Sequence, residues 1–265
     1  MRADYHMHTS FSKDSDASPE EMIKEAIRRG LTSICITDHQ DMDYSEPGFE
    51  IDFPRYFEEL LALQKKYQEK LDIRIGMELG LQAHLQEQNA QVTKEYPFDF
   101  VIGSLHLVDG IDPYYGTFFE GKTDEAGCRR FLELTWENVK QADYIDVLGH
   151  LDYIVRFAKD PKHTYRPAEY ADLLDMILKY LIEHGKGLEV NTAGYKYGLS
   201  FAHPHPDILK RYRELGGEII TIGSDGHRPE HLAYDFHKVR EVLVSCGFKY
   251  YTEFRQRSPI FCALV

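Results

Sequence analysis

The sequence predicts an α/β fold with a parallel sheet, on three observations. Seven short apolar runs recur along the 265 residues, mostly separated by amphipathic helical segments. The runs are rich in Ile, Val and Leu, as strands buried on both faces must be. Six of the seven deliver an imidazole or a carboxylate at or just past their carboxyl end. Repeated strand–helix units put helices outside a parallel sheet. An open doubly wound sheet and a closed barrel share this pattern. No Gly-x-Gly-x-x-Gly follows any run, which removes support from a dinucleotide-binding sheet.

The predicted strands are ADYHMH (3–8), TSICIT (32–37), IRIGME (73–78), DFVIGS (99–104), IDVLGH (145–150), GLEVN (187–191) and EIITIGS (218–224). The clearest helix begins in SPEEMIKEAIRRG: Ser18 caps it, Pro19 takes its first position, Glu21 completes a capping box and Gly30 stops it. Further helices are predicted near 54–70, 124–142, 167–184, 206–215 and 234–246. The link from the fourth strand to the fifth, 105–123, is long, and DGIDPYYGTFFEGK within it has the composition of a loop. Loops of that length in compact domains are often functional. There is no internal repeat and no Pro/Gly/Ser linker, so residues 1–265 are expected to form one domain.

Composition narrows the function classes. At 43% hydrophobic and 28% charged, the chain has the material for a substantial core. No apolar run approaches the roughly 20 residues of a membrane helix, and the first residues lack a signal-peptide pattern. A cytoplasmic protein without a membrane partner is expected. The four cysteines, Cys35, Cys128, Cys246 and Cys262, form no Cys-x-x-Cys pair, which fits a reducing compartment. A net charge of −13 without a basic stretch argues against nucleic-acid binding. It says less about a small phosphorylated substrate, because bound metals can reverse the local field.

Chemistry concentrates where strands end. His6 and His8 share one face of the first strand, since side chains at i and i+2 point the same way. Asp38 and His39 follow the second strand, Glu78 ends the third, His106 follows the fourth, His150 ends the fifth, and Asp225 and His227 follow the seventh. In parallel α/β barrels this is the end that builds active sites. Singly, each residue admits a structural role: a histidine bonded to a carbonyl, a helix-capping Asp38 or Asp225, a Glu78 paired with arginine. Together they would be costly to bury unpaired, and imidazole with carboxylate suits Zn²⁺, Fe²⁺ or Mn²⁺. The set is too long for one ion, so two or three are inferred. His203 and His205 in AHPHPD repeat the His-x-His spacing but open a helix, and His84, His163, His184, His231 and His237 lack the strand-end placement.

The ordered set DYHMHTSFSKDS, TDH, MELG, GSLH, GHLD and GSDGH resembles the polymerase-and-histidinol-phosphatase (PHP) superfamily, most closely its histidinol-phosphate phosphatase branch. The tail FKYYTEFRQRSP is similar as well. The resemblance implies a single-domain distorted (β/α)7 barrel with three divalent metal ions (Zn, Fe or Mn) at the C-terminal ends of the strands. It implies that His6, His8, Glu78 and Asp225 hold one ion, and that Glu78 bridges to a second held by His106 and His150. Asp14, His39 and His227 would hold the third. Some relatives carry His where this chain has Asp14, a difference that bears on metal preference there.

The activity so implied is hydrolysis of L-histidinol phosphate to L-histidinol and phosphate, by attack of a metal-bridging hydroxide. Three divalent ions outweigh the ligand carboxylates Asp14, Glu78 and Asp225, so the mouth attracts a phosphate dianion despite the acidic chain. Arg156 is the candidate phosphate clamp, since guanidinium suits a forked contact. Lys196 is a second candidate, and Tyr115 in the long loop a third. A different phosphate ester (a nucleotide, an oligonucleotide end or phosphotyrosine) is the alternative substrate. A metal-binding or storage protein without turnover is the alternative of another class.

Overall fold

The computed structural model describes residues 2–160 and 165–264; His163 lies outside the described residues. The strands are β1 (Ala3–Asp4), β2 (Ser33–Ile36), β3 (His39–Gln40), β4 (Asp72–Gly80), β5 (Phe100–Ser104), β6 (Val147–Leu148), β7 (Gly187–Asn191) and β8 (Ile220–Gly223). All their pairings are parallel, in the order β1-β2-β4-β5-β6-β7-β8. β3 continues β2 after a two-residue break and also pairs with β4. Single bonds close the circle: Tyr5 N donates to Ile222 O, Asp225 N to His6 O and His8 N to Gly226 O. The fold is therefore a nearly closed (β/α)7-type barrel, as the family resemblance implies.

Each predicted strand is present, though the first and fifth are shorter ladders than their apolar runs. Beyond Asp4 the first run stays in register through one bridge, Met7 opposite Gly226. That irregularity leaves His6 and His8 inside the mouth.

The helices are α1 (Pro19–Arg28), α2 (Phe53–Tyr67), α3 (Gln86–Glu95), α4 (Asp124–Val139), α5 (Ala171–Glu183), the one-turn α6 (Ala193–Lys196), α7 (Pro206–Glu214) and α8 (Phe236–Ser245). α1 carries the predicted capping box, with Ser18 Oγ accepting from Glu21 N. Residues 167–170, expected to be helical, form a 3₁₀ turn leading into α5. The segment QEQNAQVTKE of α3 has no apolar stripe, so periodicity does not reveal it. Its buried residue is Asn89, whose Nδ2 donates to Gly80 O at 3.2 Å.

An antiparallel hairpin, β9 (Tyr250–Arg255) and β10 (Ser258–Ala263), closes the end of the barrel opposite the histidines. Phe254 stacks on Phe100 with ring centres 5.0 Å apart, and the Tyr5 hydroxyl donates to Phe254 O at 3.2 Å. Arg257 Nε donates to Asp146 Oδ2 at 2.5 Å, and Ile220 N donates to Thr252 Oγ1 at 3.1 Å. The partners Phe100, Asp146 and Ile220 lie at or beside the amino ends of the barrel strands. The two-residue turn holds Gln256 and Arg257 at φ 48° and 63°. Such a turn normally advertises itself by Asn or Gly, and neither is present here.

The barrel floor and the mouth are thus separate regions. Phe254→Ala should lower the unfolding free energy by about 3–5 kcal/mol, the range for truncating a buried Phe. Denaturant titration in chelator measures it. The folded fraction should keep its metal-binding capacity.

Candidate metal centre

Nine predicted residues converge at the carboxyl end of the barrel. Glu78, buried near the end of β4, is the hub. Its Oε2 lies 3.2 Å from His6 Nε2, 3.5 Å from His8 Nε2 and 3.1 Å from His39 Nδ1. Its Oε1 lies 2.9 Å from His150 Nε2 and 3.3 Å from His106 Nε2, and accepts from Ser104 Oγ at 2.7 Å. Asp225 Oδ1 lies 3.3 Å from His8 Nε2 and 3.5 Å from His227 Nδ1. Asp14 folds back from its loop to within 3.1 Å of His227 Nε2 and 3.7 Å of His39 Nε2. The His8 ring is sandwiched between those of His39 and His227, at 4.2 and 4.1 Å.

The hydrogen-bond network around the rings fixes where their lone pairs point. Ser12 Oγ gives its proton to Asp38 Oδ1 at 2.7 Å and accepts from His39 N at 3.0 Å. It can therefore only accept from His8 Nδ1, 3.1 Å away, which leaves His8 Nε2 bare. Glu189 Oε1 accepts from His6 Nδ1 at 2.5 Å, and Asp41 Oδ1 from His106 Nδ1 at 2.8 Å. In their neutral forms His6 and His106 thus also turn bare Nε2 atoms inward. His6 Nε2 and His8 Nε2 face each other at 3.1 Å. The bare Nε2 atoms of His6, His8 and His106 converge with the Glu78 and Asp225 carboxylates on one space. Four groups, His8/His39/His227, His6/His8/Asp225, His39/Asp41/His106 and Glu78/His106/His150, each bring ligand atoms within 4.8 Å of one another. Such a donor set fits divalent metal ions of the zinc, iron and manganese kind.

Protonation follows the same geometry. Burial disfavours charge on His6, but Glu189, Glu78 and Asp225 outweigh it and hold its pKa well above the ordinary value. His39 is lifted in the same way, against burial, chiefly by Glu78 and Asp14. His106 is likewise lifted against burial, by Asp41 and Glu78, to about 10. His8 goes the other way, lowered by burial and by the neighbouring His227 and His39. Burial pushes Glu78 and Asp225 up, yet the surrounding imidazoles hold both well below the usual carboxylate range.

The three substrate-contact candidates sit differently. Arg156 lies on the 3₁₀ turn Tyr153–Phe157 that follows His150, with its guanidinium 3.5 Å from the centre of the Tyr197 ring. Among the described residues it has no carboxylate partner within ion-pair distance. Lys196, on α6, donates from Nζ to Asp225 O at 2.9 Å, which sets its ammonium beside the cluster. Burial lowers its pKa, with Asp225 opposing. Tyr115 lies on a short turn that packs against Tyr153–Phe157, and its hydroxyl donates to Glu46 Oε1 at 3.0 Å.

Several residues stand outside the predicted arrangement. Asp38 caps no helix: it is buried, accepting from Thr9 N and Thr9 Oγ1 as well as Ser12 Oγ. His203 is apart from the cluster, its Nδ1 2.6 Å from Asp152 Oδ1, and His205 caps α7. Two carboxylates that touch the cluster were not singled out from the sequence. Asp41 braces His106, and Glu189 braces His6 while its Oε2 accepts from His150 N at 3.0 Å. Glu189 had a signal: a lone charge inside the apolar run GLEVN, whose strand is buried at every position.

The class this geometry defines is a barrel protein with a cluster of possible metal ligands at its mouth. The model of the PHP domain family matches residues 4–193, and the chain belongs to that family. A histidinol-phosphatase of Lactococcus lactis is 34% identical over 248 residues, covering 93% of this chain and 92% of that protein. A histidinol-phosphatase of Bacillus subtilis is 22% identical over 268 residues, covering 91% of this chain and 99% of its own. The crystal structure of the Lactococcus lactis histidinol phosphate phosphatase with Zn, L-histidinol and phosphate superposes with a TM-score of 0.90, at 32% identity over 98% of each chain.

The charge network predicts a pH effect on the metal-free protein. His6, His39 and His106 have folded pKa values above the unfolded value of about 6.5. The stability they contribute is full below that pH and is lost as pH rises through the folded values, about 10 for His106. His8, lowered, is neutral in both states above pH 7 and adds no slope there. Denaturant titrations in chelator should show stability falling from pH 7 to pH 9. Replacing His106 with Gln should flatten that slope.

Proposed function

We propose that this chain is a metal-dependent phosphomonoesterase that hydrolyses L-histidinol phosphate to L-histidinol and phosphate, a reaction of histidine biosynthesis. The observation that carries the reading is the convergence of imidazole nitrogens on Glu78, those of His6 and His106 turned inward bare. It lies in a chain 32% identical to a phosphatase whose structure holds Zn, L-histidinol and phosphate. The whole chain acts as one PHP-type unit. Its four free thiols suit a reducing cytoplasm. Among the described residues no helix is long and apolar enough to cross a membrane.

Three divalent ions would be held here, with zinc the favoured metal and iron or manganese compatible with the same donors. His6, His8, Glu78 and Asp225 would hold the first, Glu78, His106 and His150 the second, and Asp14, His39 and His227 the third. When bound, such ions supply a nucleophile at neutral pH and offset charge on the phosphoryl oxygens.

The chain's own groups do the rest. Glu78 would reach both of the first two ions, and Ser104, which donates to its Oε1 at 2.7 Å, holds its orientation. The Arg156 guanidinium lies over the Tyr197 ring and has no carboxylate in ion-pair range among the described residues, so its fork is available to a phosphate dianion. Lys196 adds a positive charge beside Asp225 and helps hold the phosphate in place. The loop bearing Tyr115 covers the substrate's organic end and excludes water from it.

Phosphate release by the zinc-loaded protein tests this reading, with L-histidinol phosphate compared against nucleotides, sugar phosphates, phosphotyrosine and p-nitrophenyl phosphate. The kcat/KM for L-histidinol phosphate should exceed the others by about 100-fold, a transition-state preference of about 3 kcal/mol. Uniformly poor turnover by a fully loaded protein would leave a metal-binding protein without this activity. Arg156→Ala should lower kcat/KM about 10–100-fold, as loss of a charged hydrogen bond does, without changing metal content.

A further inference from the structure

Asp41 follows β3, is buried, and has no Lys or Arg partner among the described residues. Its Oδ1 accepts from His106 Nδ1 at 2.8 Å, and its Oδ2 lies 3.3 Å from His39 Nδ1. The opposite edges of these rings face the cluster: His106 Nε2 is 3.3 Å from Glu78 Oε1 and His39 Nε2 is 3.7 Å from Asp14 Oδ2. The fold is shaped around this carboxylate. Asp41 N donates to Phe49 O at 2.7 Å, and a Cβ on Gly80 would lie 1.9 Å from Asp41 Oδ1. Only a residue without a side chain leaves room for it there.

We propose that Asp41 is a positioning residue that holds His39 and His106 from behind with one carboxylate, so that each presents a bare Nε2 to a different metal ion. The inference rests on the metal reading above. A histidine that ligates a metal generally gives its other N–H to a carboxylate or carbonyl, which fixes tautomer and ring orientation. Here a single carboxylate serves two ligands. His39 Nδ1 is also 3.1 Å from Glu78 Oε2, but on the metal reading that oxygen belongs to the ion held with His6 and His8. Asp41 Oδ2, 3.3 Å away though not aligned for a hydrogen bond as the ring now sits, is then the acceptor left to take the proton. The arrangement couples the ion held with His106 to the ion held with His39: disturbing Asp41 disturbs both.

An amide at this position can accept from one imidazole only. Its NH₂ group forces the other ring to carry its proton on Nε2, the atom that must be bare to bind metal. The test is zinc titration of wild type and Asp41→Asn against a competing chelator, with ¹⁵N NMR of the imidazoles in the zinc-loaded proteins. In wild type both His39 and His106 should be Nδ1–H. In Asp41→Asn at least one zinc should bind about 10–100-fold more weakly, and one of the two rings should become Nε2–H. Unchanged zinc affinity in Asp41→Asn overturns the inference and leaves the metal reading intact. Failure of wild type to bind zinc at the cluster overturns both. Should Asp41→Asn not fold, the wild-type spectrum decides alone: an Nε2–H proton on either ring refutes the proposal.

Discussion

The rest of the structure is arranged around one buried carboxylate. Glu78 lies within 3.5 Å of ring nitrogens from five histidines, carried by four different segments of the chain. An ionised carboxylate this deep would be untenable alone, and so would imidazoles this close to one another. Each makes the other tolerable, and cations complete the balance. The cluster therefore costs stability unless charge is supplied, by protons on the rings or by metal ions. Elsewhere the molecule offsets that cost with a continuous apolar core and a hairpin sealed across the barrel floor.

The barrel turns this balance into chemistry because parallel strands deliver their carboxyl ends to one mouth. The residues behind the inward-facing ring atoms matter as much as the rings. Ser12 orients His8, Glu189 orients His6 and Asp41 orients His106. These partners set which nitrogen carries the proton, and so which nitrogen can bind metal. At the rim, Arg156, with no carboxylate in ion-pair range among the described residues, and Lys196 oppose the acidity of the chain.

Much of this was legible in the sequence, and the reason is period. Strand side chains alternate, so His6 and His8 had to share a face. A histidine or carboxylate just past an apolar run had to emerge at one end of a parallel sheet, as His106, His150 and Asp225 do. What spacing does not encode stayed hidden. Asp41 reaches His106 only because β3 pairs with β4 and Gly80 leaves space. The α3 helix lacks an apolar stripe, and the β9–β10 turn lacks Asn or Gly. Asp38 was visible, but its bonds to Thr9 and Ser12 follow from tertiary packing, so its buried orienting role was not.

The central claim is that Glu78 sits between metal ions. Anomalous diffraction at the zinc edge, from crystals of the zinc-loaded protein, tests it most directly. The account predicts one peak about 2.0–2.2 Å from His106 Nε2, His150 Nε2 and Glu78 Oε1, and a second at similar distance from His6, His8 and Asp225, with Glu78 reaching both. Peaks confined to other parts of the molecule, or a Glu78 carboxylate touching no ion, would contradict it.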